Sequence, residues 1–357
     1  MYSIITIRSI RLFLFCFSLG VLFNCTSGKE DSMMDGYGDQ SIFDKLSSDE
    51  PLELELVADF DSLILTKNEE SYFPGLLNFN DGKDSMIVNM IKIGTRGKTR
   101  KKICDFPPIR LKFPKPLLKE SNLSKYKTLK LVTPCFNKTG YKDLISKEML
   151  CYQIFQELTE NSFRVQSARV GIKQNKDVEN STKMVSFLIE NDKEMANRLG
   201  GALLDKSTTK VKTIDIESYN LLALFQYMIG NTDWNLSRRH NIKLVTREGN
   251  SAPIPVPYDF DYSGIVNADY AVPHPNLPIK NVRERFFQWR GKEAKALQPS
   301  VDILLSKKES ILNLIKNAPM KDQKNKEEML AYVLDFYKII ETEGELEKLV
   351  RKEKVTI

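Results

Sequence analysis

The residues best able to do chemistry fall in one stretch of this 357-residue chain. Gly230-Asn231-Thr232-Asp233-Trp234 is followed by His240-Asn241-Ile242-Lys243-Leu244, and then by Pro255-Val256-Pro257-Tyr258-Asp259-Phe260-Asp261. An acid at a helix exit, an asparagine opening the next strand and an acid at the end of the strand after that converge if the two strands pair as a hairpin. Oxygen donors so placed suit Mg²⁺ beside a catalytic base. Asp233 would orient and deprotonate an acceptor hydroxyl, Asn241 and Asp259 would hold metal, and Asp261 could bind a second ion. Each piece alone has a plainer explanation. Asn-x-Asp after a helix is commonly a capping turn, and Asp259 and Asp261, sharing one strand face, commonly bridge a cation or a basic residue. A glycosidase-type acid pair would want a sugar-binding aromatic pattern, which is absent.

Several other chemistries are excluded. Gly94-Thr95-Arg96-Gly97-Lys98-Thr99 imitates a phosphate loop, but Lys92 stands where the first glycine belongs and Pro107-Pro108 forbids the helix that should follow. No Gly-x-Ser-x-Gly elbow occurs. Only two histidines exist, His240 and His274, with no Cys-x-x-Cys or His-Glu-x-x-His, which argues against zinc. The basic cluster Arg96 to Lys102 reads as a surface hairpin or as a phosphate contact. The charge of +6 is otherwise spread among acids, as on solvated faces, and gives no nucleic-acid footprint.

The elements that must position these residues are strand-rich first and helix-rich later, an α+β pattern without an internal repeat. Leu52 to Leu56 alternates with period two, and 86–93, 109–113 and 129–132 are short apolar runs between turns, which predict an antiparallel sheet. A helix over 143–158 interrupts it, and 163–172 and 183–189 return to strand. Residues 192–199 and 214–229 read as helix, the latter with a broad buried face. Two short strands, 240–246 and 253–260, flank the candidate site. Helical segments over 291–317 and 325–349 close the chain.

At the N-terminus, Arg8 and Arg11 precede an apolar run of about twelve residues, too short to cross ~30 Å of hydrocarbon. That is a signal-peptide pattern, assigned to 1–24. Leu22-Phe23-Asn24-Cys25 resembles a bacterial lipobox, with Asn24 where a small residue is usual, so Cys25 is the expected lipidation site. Residues 25–50 lack apolar periodicity and read as a tether. Of the five cysteines, Cys104, Cys135 and Cys151 lie beyond the leader and permit at most one intramolecular disulfide. The rest, about 305 residues, is long enough for one large or two small domains.

The stretch Gly230 to Asp261 resembles the CotH-type spore-coat kinases and, more distantly, the HipA-type and lipid-kinase-like members of the protein-kinase-like fold. Those families run Gly-Asn-x-Asp, an asparagine, then Asp-x-Asp after a proline-containing strand. Ile93 to Gly97 followed by Ile109 to Phe113 is similar to their Arg-Gly turn and the strand carrying the nucleotide lysine. The resemblance covers 93–261 and departs in two places. Asn241 lies eight residues after Asp233 where five is usual, the insertion including Arg238 and Arg239, and Asp233-Trp234-Asn235 replaces the usual Asp-Arg-His.

The resemblance implies two lobes. An antiparallel-sheet N-lobe would span 51–190 and a mainly helical C-lobe 191–357, with adenine held where strand 183–189 meets the hinge. ATP and Mg²⁺ or Mn²⁺ would be the cofactors, with Arg96 and Lys112 on phosphates and Lys130 as rival to Lys112. Glu148 shares the apolar face of its helix and so wants a partner; in the kinase-like reading that partner is the strand lysine. The function implied is phosphoryl transfer to a hydroxyl of an envelope protein or glycan, by a protein anchored through its N-terminal lipid. A kinase-shaped binding or scaffolding module and AMP transfer are the alternatives.

Overall fold

In the computed structural model the residues described are 36–80, 85–136, 140–175, 181–205, 213–249 and 252–354. The signal segment 1–24, Cys25 and the first part of the tether lie outside them. No described helix is long and apolar enough to cross a membrane.

The rest of the expected tether is structured. Helix α1 (Ile42–Leu46) opens on a capping box, in which the Asp44 N–H donates to Ser41 Oγ and the Ser41 N–H donates to Asp44 Oδ2. Its Ile42, Phe43 and Leu46 are buried. So short a helix has no sequence periodicity to show, and it stands because its apolar residues fill the end of a barrel.

That barrel is built from β1 (Leu52–Ala58), β2 (Tyr72–Asn80), β3 (Ser85–Thr95), β4 (Ile109–Lys112), β5 (Thr128–Val132), β6 (Val165–Lys173) and β7 (Thr182–Ile189). The order is β1-β2-β3-β4-β5-β7-β6, and the sheet closes on itself. All neighbours are antiparallel except β1 and β6, which run parallel with Leu54 opposite Val170. The expected antiparallel sheet is thus a closed barrel with one parallel seam. Strand β2 escapes a pattern search because Pro74-Gly75 reads as a turn; the structure absorbs it in an irregularity between Gly75 and Leu77. Alternate residues, among them Leu54, Leu56, Ile93, Leu111, Leu131 and Val170, fill the interior.

Helix α2 (Phe60–Leu65) follows β1 and α3 (Thr99–Ile103) follows β3, so the second half of the basic cluster, from Thr99, is helical and the cluster is not a hairpin. Helix α4 (Lys115–Glu120) leads into β5, and α5 (Tyr141–Leu158) connects β5 to β6. Cys104, which caps α3, is disulfide-bonded to Cys135 just beyond β5, while Cys151 is free and buried. The buried face of α5, including Ile145, Met149, Leu150, Ile154 and Phe155, joins a second hydrophobic core distinct from the barrel's. Helix α5 thus lies against strands β6 and β7 of the barrel on one side and against the second half of the chain on the other.

That half begins with α6 (Asp192–Arg198), β8 (Gly201–Leu203) and α7 (Ile216–Met228), which is apolar on most of its circumference and accordingly buried. Strands β9 (Ile242–Arg247) and β10 (Ile254–Pro257) form the expected hairpin, Ile242 opposite Pro257, with β8 as third strand. Helices α8 (Gln298–Ser306), α9 (Lys308–Asn317), α10 (Gln323–Glu341) and α11 (Glu345–Lys354) complete the second core.

Arg164 pins the two halves where they join. Its guanidinium reaches Asp44 on α1 at 2.8 Å, Glu190 just beyond β7 at 2.9 Å and Glu194 on α6 at 2.8 Å. Three carboxylates from three elements therefore converge on one planar cation.

Candidate functional site

Helix α7 stops because Gly230 adopts φ +65°, and any side chain there would strike the Tyr332 hydroxyl. Asn231 Oδ1 then accepts from the Asp233 N–H at 3.0 Å, a capping turn that aims the Asp233 side chain outward. Residues 235–240 form a small closed loop, with Asn235 N donating to His240 O and His240 N to Asn235 O. This loop absorbs the insertion and returns Asn241 to Asp233. Asn241 Nδ2 donates to the Asp233 carbonyl at 2.7 Å and to Asp233 Oδ2 at 3.0 Å, while His240 Nε2 lies 2.9 Å from Oδ1. The acid is held from both sides.

With Nδ2 engaged, Oδ1 is the Asn241 atom left to meet a cation. Asn241 and Asp259 both take left-handed backbone, φ 53° and 67°. Asp259 is steered by its N–H, which donates to the Tyr152 hydroxyl at 2.9 Å. Strand β10 ends at Pro257, so Asp259 and Asp261 follow it in a turn and do not share a strand face. Asp261 is buried and accepts from the Tyr270 hydroxyl at 3.1 Å. Burial, reinforced by the Asp259 charge, pushes its carboxyl up to about 7.

The four predicted acidic and amide residues, Asp233, Asn241, Asp259 and Asp261, line one cleft of about 510 Å³ between barrel and second core. Arg96 and Lys130 line it too. Lys112 does not. It sits on β4 over the Tyr72 ring, 5.2 Å from the centroid, away from the cleft. The cleft lysines are Lys130 on β5 and Lys243 on β9, both bonded to Asp192 at the start of α6. Burial alone would raise Asp192, but the two ammonium groups hold it well below the usual carboxylate range. Burial lowers Lys130 against the pull of Asp192.

Glu148 finds a partner, and it is Arg100 at 3.2 Å, not a strand lysine. Arg100 Nη2 also donates to the Thr133 carbonyl. The sequence placed Arg100 within a basic run with no mark of burial, so it was missed, as were Asp192 and Lys243. Lys243 left a faint signal, a polar position between apolar Ile242 and Leu244 on a strand.

Burial first, then Asp261 and Asp259, push Glu148 up to about 8 against the pull of Arg100. Glu148 Oε1 is buried without a hydrogen-bond partner. Three carboxylates thus face one guanidinium in this corner, and the donors available, carboxylate and amide oxygens, are those a hard divalent cation prefers. Asn241, Asp259 and Asp261 carry donor atoms of the type that Mg²⁺ or Mn²⁺ takes. Among the described residues no group of three or more His, Cys, Asp or Glu side chains is arranged to hold a metal ion.

No protein-family model and no curated protein matches the chain. Among solved structures, the chain is similar to the Helicobacter pylori proinflammatory kinase CtkA, at 10% identity over 68% of this chain and 94% of that one, with a TM-score of 0.39. At that score the likeness carries no weight here, and the function must be argued from the cleft.

Proposed function

We propose that the cleft binds ATP with Mg²⁺ or Mn²⁺ and that the protein is a CotH-like atypical kinase, transferring a phosphoryl group to a hydroxyl of an envelope protein or glycan. The observation that carries this reading is the convergence of Asp233, Asn241, Asp259 and Asp261 in a cleft whose opposite wall holds Arg96, Arg100, Arg110 and Lys130. Oxygen donors facing fixed cations is what a nucleotide triphosphate and its metal require.

The residues divide the work by chemistry. Arg96 and Lys130 meet phosphate oxygens, and Lys130 is the nucleotide lysine in place of Lys112. Glu148 and Arg100 hold the wall behind them. Asn241 and Asp259 would offer oxygens to one metal ion and Asp261 to a second, and a metal bound there would neutralise charge on the phosphates. Asp233 Oδ accepts the acceptor's proton as the new O–P bond forms and the bond to the ADP oxygen breaks. The reading includes export and anchoring through Cys25, and the Cys104–Cys135 disulfide suits an oxidising compartment.

A non-catalytic binding module is the second reading. It is favoured by the grip of His240 and Asn241 on both Asp233 oxygens and by the pairing of Lys130 with Asp192 instead of Glu148. A thermal-shift titration with ATP, with and without Mg²⁺ or Mn²⁺, tests the site itself. A native-state ligand adds about 2.7 kcal/mol at a hundred times its dissociation constant. The expected result is a metal-dependent shift that Asp259→Ala abolishes; no shift with either metal refutes nucleotide binding.

A further inference from the structure

A second cavity, of about 330 Å³, opens beside the cleft. One wall is the loop that follows Asp233, Trp234 to Ser237, and the other includes Asn276, Leu277 and Arg290. Asp233 itself lines the cleft. The chain therefore passes from candidate base to cavity wall within one residue.

The lining has a charge bias. Its only charged residue is Arg290, an exposed side chain with no ion pair among the described residues, and no carboxylate lines the cavity. Arg238, next on the loop, lines the cleft and not this cavity; its backbone N–H donates to Asn235 Oδ1. Asn235 Oδ1 is taken by that N–H and Gln288 Nε2 by the Thr232 carbonyl, which leaves Asn235 Nδ2, Gln288 Oε1 and the Asn276 amide to meet a peptide backbone. The aromatic rings there are inaccessible, Trp234 at 5% and Phe286 at 8% exposure, and present no open face on which a sugar could stack.

We propose that this cavity is the acceptor site and that it takes a hydroxyl-bearing peptide segment flanked by carboxylates, with Arg290 as the specificity-determining residue. The proposal rests on the phosphoryl-transfer reading for the purpose of the site, but its binding test does not.

Fluorescence anisotropy of labelled serine peptides flanked by glutamate, glutamine or lysine, on the full chain at low salt without nucleotide, is the experiment. The glutamate peptide should bind at least about tenfold tighter than the lysine peptide, the equivalent of ~1.4 kcal/mol, and the advantage should shrink as salt screens it. Arg290→Glu should reverse the preference and Arg290→Gln remove most of it. Equal binding of all three peptides, a preference untouched by both variants, or equal displacement by a neutral oligosaccharide overturns the proposal. The ATP and Mg²⁺ thermal shift, run on the same samples, separates the two readings: glutamate-peptide binding without a nucleotide shift would sustain the acceptor site while removing phosphoryl transfer.

Discussion

Arg100 Nη1 lies 3.2 Å from Glu148 Oε2 with both side chains buried, joining a helix beside the barrel to the helix that packs in the second core. Removing Arg100 strands the Glu148 carboxyl, which burial keeps protonated, without its partner in a poor solvent and costs about 1–3 kcal/mol. Arg100→Ala should lose that much in urea denaturation and weaken ATP binding as well. A loss under about 1 kcal/mol, the scale of an exposed pair, would mean that the pair does not organise the cleft.

The two candidate lysines separate cleanly. Lys130→Met should weaken the ATP-induced thermal shift by about tenfold in dissociation constant, the loss of ~1.4 kcal/mol of charge contact, while Lys112→Met leaves it unchanged, since Lys112 rests on Tyr72. The opposite outcome would return the nucleotide lysine to β4.

Asp233→Asn tests the base. The fold and the nucleotide shift should persist, because Asn231 still caps the turn, while transfer falls by about 10²–10⁴-fold. Unchanged turnover would remove Asp233 from the mechanism.

Glu194 makes stability depend on pH. Burial pushes its carboxyl up to about 7 from an ordinary 4.5, against the hydrogen bond from Ser41. Between those values the folded chain binds more protons than the unfolded one, so this residue's stabilisation is complete below 4.5 and is lost as pH rises through 7. The slope is at most about 1.4 kcal/mol per pH unit. Urea midpoints of the wild type and Glu194→Gln across pH 4.5 to 7 should differ in slope, the variant being flatter; parallel lines would mean that Glu194 titrates normally.

Much of this architecture was legible where one local pattern decided the outcome. Leu52 to Leu56 alternates because one face meets the barrel interior, and α5 and α7 show their periods because they are long. The β9–β10 hairpin and the convergence of Asn241 and Asp259 followed from strand spacing. What could not be read depends on distant partners. Arg110-Leu111-Lys112 and Leu129-Lys130-Leu131 both alternate, and only the register between the strands shows that Arg110 sits opposite Lys130 at the cleft while Lys112, two residues along and opposite Thr128, lies beyond it. Arg100 is one cation in a run of basic residues until Glu148 and Thr133 draw it inward. The barrel's closure was equally hidden, because the parallel seam joins residues more than a hundred positions apart.

That closure has a mechanical consequence. A sheet with free edges can splay strand by strand, whereas a ring of seven has no edge from which to peel. The barrel must then move as one rigid piece, and one of its passages to the second half is the short stretch at 190–192. There Arg164 and Arg198 grip Glu190, while Lys130 from the barrel and Lys243 from the lower sheet meet on Asp192. Moving the barrel away from the lower sheet means parting those two lysines from their shared anion, so the same latch would govern how fast anything held in the cleft escapes.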